Sequence, residues 1–376
     1  MVRALARVNV AAIERNTARL TQELSGGTRL CAVVKADGYG HGAAAAARAA
    51  LAGGATMLGI AAAGEAEQLR DERIEAPLLV LGALSAAELP IALSARAEVV
   101  AWDERFVDDL IAAAGGPVAV HVKLDSGMGR FGTRSLRDAL AIAERVSATP
   151  AREAGLRLAG ATTHFATADD DPEFLAVQLA AFDPFARALR ERGDVLVHAA
   201  NSAATLREPA SHYDMVRCGI AVYGCDPFNA DPDQQGLEPA LELSSYVAAV
   251  KLARSGDSAG YGRRFIADGD TWIATIPIGY ADGVKRALTN NCDVLIGGRR
   301  YPLAGTVSMD NITVALGPES AVAVGDEAIL IGRSGNERQT AEDVSRRLQT
   351  IAYEVICGIS SRVTREYHRD GTPVTS

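Results

Sequence analysis

Through the first two-thirds of the chain, short apolar runs alternate with alanine-rich stretches in which apolar residues recur at helical spacing. Asn9 is placed to cap a helix running to about Leu24, with Gly26 and Gly27 just beyond it. Strands are then expected at residues 30–34, 57–61, 78–81, 99–102, 118–124, 156–163, 195–199 and 215–217. Helical patterns follow most of them: the 40s up to Gly53, then 65–73, 85–94, 103–114, 135–147, 172–192 and a short piece near 203–206. Parallel strands need a crossover, and a helix after each strand supplies one. Eight such units predict an α/β fold, a (β/α)8 barrel of the TIM type. The alternative is a doubly wound open sheet. Its dinucleotide-binding form needs G-x-G-x-x-G after the first strand, and that signature is absent.

The texture changes after the polar stretch 232–235. Antiparallel strands are expected at 245–252, 271–278, 293–296, 301–303, 312–316 and 327–331, with a hairpin turn at Gly297-Gly298. One helix is expected at 340–356. The domain reading is therefore a barrel over 1–235 and a C-terminal, mainly antiparallel β domain over 236–376.

Composition narrows the function classes. The 376 residues are 48% hydrophobic and 23% charged, ordinary for a globular chain. Thirty-eight basic against 47 acidic residues give a net charge of −9, which disfavours nucleic acid as a partner. No apolar run approaches a membrane span, and the N-terminus lacks the apolar core of a signal peptide, so a cytoplasmic location is expected. Five scattered cysteines with no C-x-x-C pair suggest buried thiols rather than disulfides or a metal knuckle, and no metal is expected.

In a (β/α)8 barrel the active site lies at the C-terminal ends of the strands. Here those ends carry Lys35, Lys123 leading to Arg130, His164, Asn201 with Ser202, and Arg217 followed by Gly219 and Ile220. Singly, each has a bland reading: a solvated lysine, an interior histidine, an ion-pair arginine, a helix-capping serine. Their joint placement is less easily explained that way. The chain has only four lysines (35, 123, 251 and 285), and two of them fall in this set. Loops after the seventh and eighth strands often hold phosphate in barrels. A phosphate there, with a lysine after the first strand, points to pyridoxal 5'-phosphate, whose aldehyde condenses with an amine.

The segment A-V-V-K-A-D-G-Y-G-H-G at 32–42 closely resembles the cofactor-lysine signature of bacterial alanine racemases. The likeness continues through H-V-K-L-D-S-G-M-G-R-F-G (121–132), T-H-F-A (163–166), H-A-A-N-S-A (198–203) and R-C-G-I-A-V-Y-G (217–224). It extends to G-Y-G (260–262), I-P-I-G-Y-A-D-G (276–283), G-T-V-S-M-D (305–310) and A-Y-E (352–354). The resemblance implies a homodimer with active sites shared between subunits. Lys35 holds the cofactor and is one catalytic base; the partner subunit's Tyr261 is the other. Tyr39, Ser202, Gly219, Ile220 and Tyr353 bind the phosphate, with Asn201 beside them. Arg217 faces the pyridine nitrogen and bonds to His164. Arg130 contacts the cofactor and the substrate carboxylate, and Met309 across the interface adds a backbone N–H. Tyr280 narrows the entrance, and Lys123 carries a carbamate that orients Arg130. One departure is Ser308, where some relatives have cysteine.

The implied reaction is reversible interconversion of L- and D-alanine by two bases, with D-alanine destined for peptidoglycan. An ordinary tyrosine, with a pKa of about 10, is a poor base at neutral pH and needs help from its surroundings. Arginine, unlike a carboxylate, leaves the pyridine nitrogen unprotonated and the ring a weaker electron sink. Two alternatives are a racemase of broader specificity, acting on serine or larger amino acids, and a non-catalytic cofactor-binding protein. The bulk of Tyr280 and Tyr353 argues against the first, and the β domain with Tyr261 against the second.

Overall fold

The computed structural model describes residues 2–149 and 155–374. The strands, in chain order, are β1 (Leu5–Asn9), β2 (Arg29–Val33), β3 (Met57–Ile60), β4 (Leu78–Val80), β5 (Ala97–Ala101), β6 (Val118–Lys123), β7 (Leu156–Thr162), β8 (Leu196–His198) and β9 (Met215–Cys218). β2 to β9 form a closed barrel of parallel neighbours, sealed where Cys31 of β2 pairs with Arg217 of β9. This is the expected (β/α)8 barrel. The open doubly wound sheet is excluded, because a sheet closed on itself has no edge.

Helices over Ala43–Ala52, Ala63–Asp71, Leu89–Ser94, Glu104–Ala113, Leu136–Ala148, Pro172–Arg190 and Ser202–Arg207 follow successive strands. Asp103, Ser135, Asp171 and Asn201 cap four of them by accepting from the N–H of Phe106, Asp138, Phe174 and Ala204. Cys31, Met57, Leu79, Val100 and Met215 pack together inside the barrel. Burying a side chain such as Leu79 contributes about 1.5–3 kcal/mol. The barrel also buries polar side chains: His121, His198 and Arg217, from β6, β8 and β9.

The chain divides into two compact units, Ile13–Val222 and a second made of Met1–Ala12 with Tyr223–Ser376. In the second, the strands are β10 (Leu241–Tyr246), β11 (Ala249–Ala253), β12 (Ser258–Ala259), β13 (Phe265–Ile266), β14 (Thr271–Ile276), β15 (Asp293–Ile296), β16 (Arg299–Pro302), β17 (Ile312–Gly317), β18 (Glu327–Ser334), β19 (Glu337–Gln339), β20 (Thr364–Arg369) and β21 (Thr372–Pro373). Most pairs are antiparallel, and Gly297 and Gly298, both at positive φ, make the β15–β16 hairpin turn. β1 belongs to this sheet, antiparallel to β10 and parallel to β20.

Three local expectations change. The run 245–252 is two strands, broken at Val247 and Ala248. The helix expected at 340–356 breaks at Gln349, which sits at φ 55°, into Ala341–Leu348 and Ala352–Cys357. Cys357 is exposed, whereas the other four cysteines are buried.

Candidate active site

The barrel's first strand runs into an unusual turn. Ala36, Asp37, Gly38, Tyr39 and Gly40 all have φ between 52° and 82°. Consecutive left-handed residues cost about 1–2 kcal/mol each where a Cβ is present, here at three positions. Side chains pin the turn. Glu65 accepts from the N–H of Ala36 at 2.7 Å while also holding Ala61 and Ala62, and Asp37 accepts from Ala43 N–H at 2.8 Å. Half-buried Lys35 thus stands at the start of the turn and buried Tyr39 near its end. The Tyr39 hydroxyl lies against Gly219 so closely that a Cβ there would come within 2.5 Å of it. Ser202, also buried, accepts from the N–H of Gly219 at 3.0 Å and of Ala221 at 3.4 Å, while Ile220 between them is fully buried. Asn201 Oδ1 caps the short helix that Ser202 begins.

Arg217 is the hub. Its guanidinium donates to Thr162 Oγ1, Thr163 O, Ala199 O, His198 Nδ1 at 2.8 Å and His164 Nδ1 at 3.2 Å. Among the described residues no carboxylate pairs with it. Burial pulls its pKa down to about 10, so it stays charged at neutral pH. Burial also holds His164 well below the usual imidazole range, reinforced by Arg217, Lys123, Arg130 and Lys35. These basic side chains lie near enough to His164 to favour its neutral form. Lys123, 6% exposed, is pushed down to about 8 by burial and then by Arg217 and Arg130. Its Nζ lies 5.8 Å from the centre of the Phe131 ring. Arg130 is exposed on a loop organised by Asp125, which accepts from the N–H of Gly127 and Gly129 and pairs with Arg134 at 3.3 Å.

The second unit gathers Tyr261, Tyr280 and Met309 on neighbouring loops, all exposed. Thr306 Oγ1 donates to Tyr261 O at 2.6 Å, Tyr280 N–H to Ser308 O at 2.9 Å, and Ala281 N–H to Met309 O at 3.0 Å. Buried Asp282 anchors these loops by accepting from Gly279 N–H and pairing with Arg3 and Arg362, the latter also reaching Asp310. Tyr353 lies on the short helix Ala352–Cys357 of the same unit.

Sequence reasoning missed Glu65, Asp282 and Glu98. It quoted His121 and His198 within motifs without giving them a task. An acid inside an otherwise apolar barrel strand, A-E-V-V-A at 97–101, was the available signal for Glu98.

A closed parallel barrel that brings a lysine, a buried arginine and a histidine to its strand ends has the layout of a barrel enzyme's active site. Comparison with known proteins makes this specific. Residues 8–227 match the model of the alanine racemase N-terminal domain, and residues 240–367 that of the C-terminal domain. The alanine racemase of Symbiobacterium thermophilum is 40% identical over 368 residues, covering 96% of each chain. That of Geobacillus stearothermophilus is 39% identical over 373 residues, covering 97% of this chain and 93% of its own. Among solved structures, the alanine racemase of Streptomyces lavendulae superposes with a TM-score of 0.92 at 34% identity, covering 98% of this chain and 97% of its own. That of Bacillus anthracis, with bound L-Ala-P, gives 0.91 at 35% identity, covering 100% and 97%. The chain belongs to the alanine racemase family. It is by family an isomerase.

Proposed function

We propose that this chain interconverts L- and D-alanine with pyridoxal 5'-phosphate, as a homodimer whose sites draw residues from both subunits. The observation that carries the cofactor assignment is the barrel mouth. Lys35, Lys123, Arg130 and Arg217 all bear on His164 there, and the close Gly219–Tyr39 approach leaves backbone and hydroxyl donors together. A phosphorylated aldehyde suits that donor set: Lys35 offers the amine, while Tyr39, Ser202, Gly219 and Ile220, with Tyr353 and Asn201, offer the phosphate contacts. When bound, the group supplies a sink for the electron pair left when the α-proton departs.

The chain's own residues do the rest. The Lys35 amine takes a proton from one face of the substrate and the phenol of Tyr261, from the partner subunit, returns one to the other. Arg217 bonds to His164 Nδ1 as a donor, so the neutral ring carries its hydrogen on Nε2. Arg217 stays a cation and would present an N–H to the pyridine nitrogen without giving up its proton. Arg130 and the backbone N–H of Met309 hold the substrate carboxylate, and Tyr280 limits the side chain that enters. Lys123, as a carbamate, carries the negative charge that holds Arg130 in place. The names of the relatives favour alanine over a broader racemase or a non-catalytic carrier.

Among the described residues no helix is long and apolar enough to cross a membrane. We extend the reading to a cytoplasmic enzyme making D-alanine for peptidoglycan. The test is circular dichroism of L-alanine incubated with the pyridoxal-phosphate-loaded protein. Decay of the signal to zero is expected, and a yellow protein that leaves the signal unchanged overturns the reading.

A further inference from the structure

Behind Arg217 a line of polar side chains runs through the barrel interior. His198 Nδ1 faces Arg217 Nη1 at 2.8 Å, His198 Nε2 faces His121 Nδ1 at 2.8 Å, and His121 Nε2 faces Glu98 Oε2 at 2.7 Å. Both imidazoles are fully buried, and the Glu98 side chain is 22% exposed. Its carboxylate, on β5, also feels Arg29 of β2 and Arg157 of β7.

The two ends leave one arrangement of hydrogens. A guanidinium only donates, so His198 Nδ1 accepts and its hydrogen is on Nε2. His198 Nε2–H then requires His121 Nδ1 to accept, which makes His121 neutral with its hydrogen on Nε2. That hydrogen meets a carboxylate, which only accepts. Reversing any one bond sets two donors or two acceptors face to face at Arg217 or at Glu98.

The barrel is also shaped to hold this line. The β6–β7 pairing shifts register between Val120 and His121, which re-aims the His121 side chain. Across from it β7 carries Gly160, where a Cβ would lie 1.9 Å from His121 Nδ1. A strand interior gives up a side chain there so that an imidazole fits.

We propose that Glu98 and His121 are positioning residues: they close the line on an acceptor, so that His198 keeps the tautomer Arg217 requires and holds Arg217 in its orientation toward the ring nitrogen it serves. This rests on the functional reading above for the role of Arg217. The acceptor-only carboxylate stands three hydrogen bonds away and does for the guanidinium what a directly paired acid does elsewhere, without bringing an anion to the ring.

The experiment uses the full-length, cofactor-loaded protein with isotope-labelled histidine nitrogens, and reads the protonation of each ring nitrogen by NMR beside alanine racemase kinetics. In the unaltered protein, His121 and His198 are expected to carry hydrogen on Nε2 alone. Glu98→Leu is expected to mix the tautomers and lower kcat by about tenfold or more, as when a group orienting a functional imidazole is lost. KM should stay within about twofold. Glu98→Gln, whose carbonyl oxygen accepts in the same place, should restore both the pattern and most of kcat. Glu98→Asp, which withdraws the oxygen by one methylene, should behave like Glu98→Leu and serves if that variant fails to fold. Val99→Ala, at a buried position of the same strand β5, should lower the melting temperature and move neither the tautomers nor kcat. Hydrogen on Nδ1 of either ring in the unaltered protein overturns the proposal, as do tautomers and kcat indifferent to loss of the Glu98 acceptor. A loaded protein that does not racemise alanine overturns the functional reading instead, and the tautomers still decide the bonding.

Discussion

Gly160 and His121 sit opposite one another on β7 and β6, and the space a Cβ would take at Gly160 is occupied by the His121 ring, 1.9 Å from its Nδ1. Gly160→Ala must therefore push His121 off His198. Overpacking a rigid interior costs about 1–3 kcal/mol, to be read as a lowered melting temperature. The same variant should slow racemisation while Gly116→Ala, a glycine with open space around it, should not.

Gly219→Ala should act through Tyr39. The added methyl meets the phenol at 2.5 Å, so the ring must swing away from the backbone N–H groups beside it. A tyrosine tip moves cheaply, so folding stability should change by less than about 1 kcal/mol. Affinity for pyridoxal phosphate, measured by fluorescence titration, should fall about tenfold or more, which corresponds to 1.4 kcal/mol or more.

Lys123 should show two behaviours. Its pKa near 8 leaves about a tenth of the amine neutral at pH 7, the form that adds carbon dioxide to give a carbamate and release a proton. Labelled bicarbonate should give a carbamate carbon signal that Lys123→Met removes. In buffer free of carbon dioxide the lysine binds its proton more weakly folded than unfolded, where its pKa is about 10.4. The unmodified ammonium then destabilises the fold below pH 8, and that penalty fades as pH rises from about 8 to about 10.4. Lys123→Met should accordingly raise the melting temperature at pH 7 and lose its advantage by pH 10.

Tyr261→Phe should lower net racemisation in both directions equally, because the two enantiomers have equal energy in water. Exchange of the α-proton with solvent deuterium, without inversion, should survive for the one enantiomer that Lys35 serves. Co-expressed Lys35→Ala and Tyr261→Phe chains should form a mixed dimer with one complete site and measurable activity. An inactive mixed dimer would place both bases on a single chain.

The barrel was readable because each of its strands is local: a run of apolar residues such as L-L-V at 78–80 announces itself whatever it pairs with. β1 was not, because L-A-R-V-N becomes a strand through partners at 241–244 and 364–368. The break at Gln349 was hidden too, since glutamine favours helix and nothing local marks it for positive φ. The catalytic candidates stood out at strand ends, but the partners that orient them did not. Glu98, His121 and His198 lie 23 and 77 positions apart, and only closure of the barrel aligns them. The A-D-G-Y-G segment stood out only as part of a motif, and nothing local showed that it winds left-handed, a conformation stabilised by Glu65 from the helix that follows the next strand.

The placement of β1 has a consequence for biosynthesis. The barrel residues run without interruption from Ile13 to Val222, whereas the second unit collects both ends of the chain. Leu5–Asn9 are made before the barrel, yet one of their neighbours, Thr364–Arg369, leaves the ribosome only after all of it. β10 emerges in between and can cover one side, but the other side of β1 stays an open sheet edge until β20 has been made. A message truncated shortly before codon 364 would yield a chain with every barrel strand present and a permanently sticky N-terminus, prone to pair with another copy of itself.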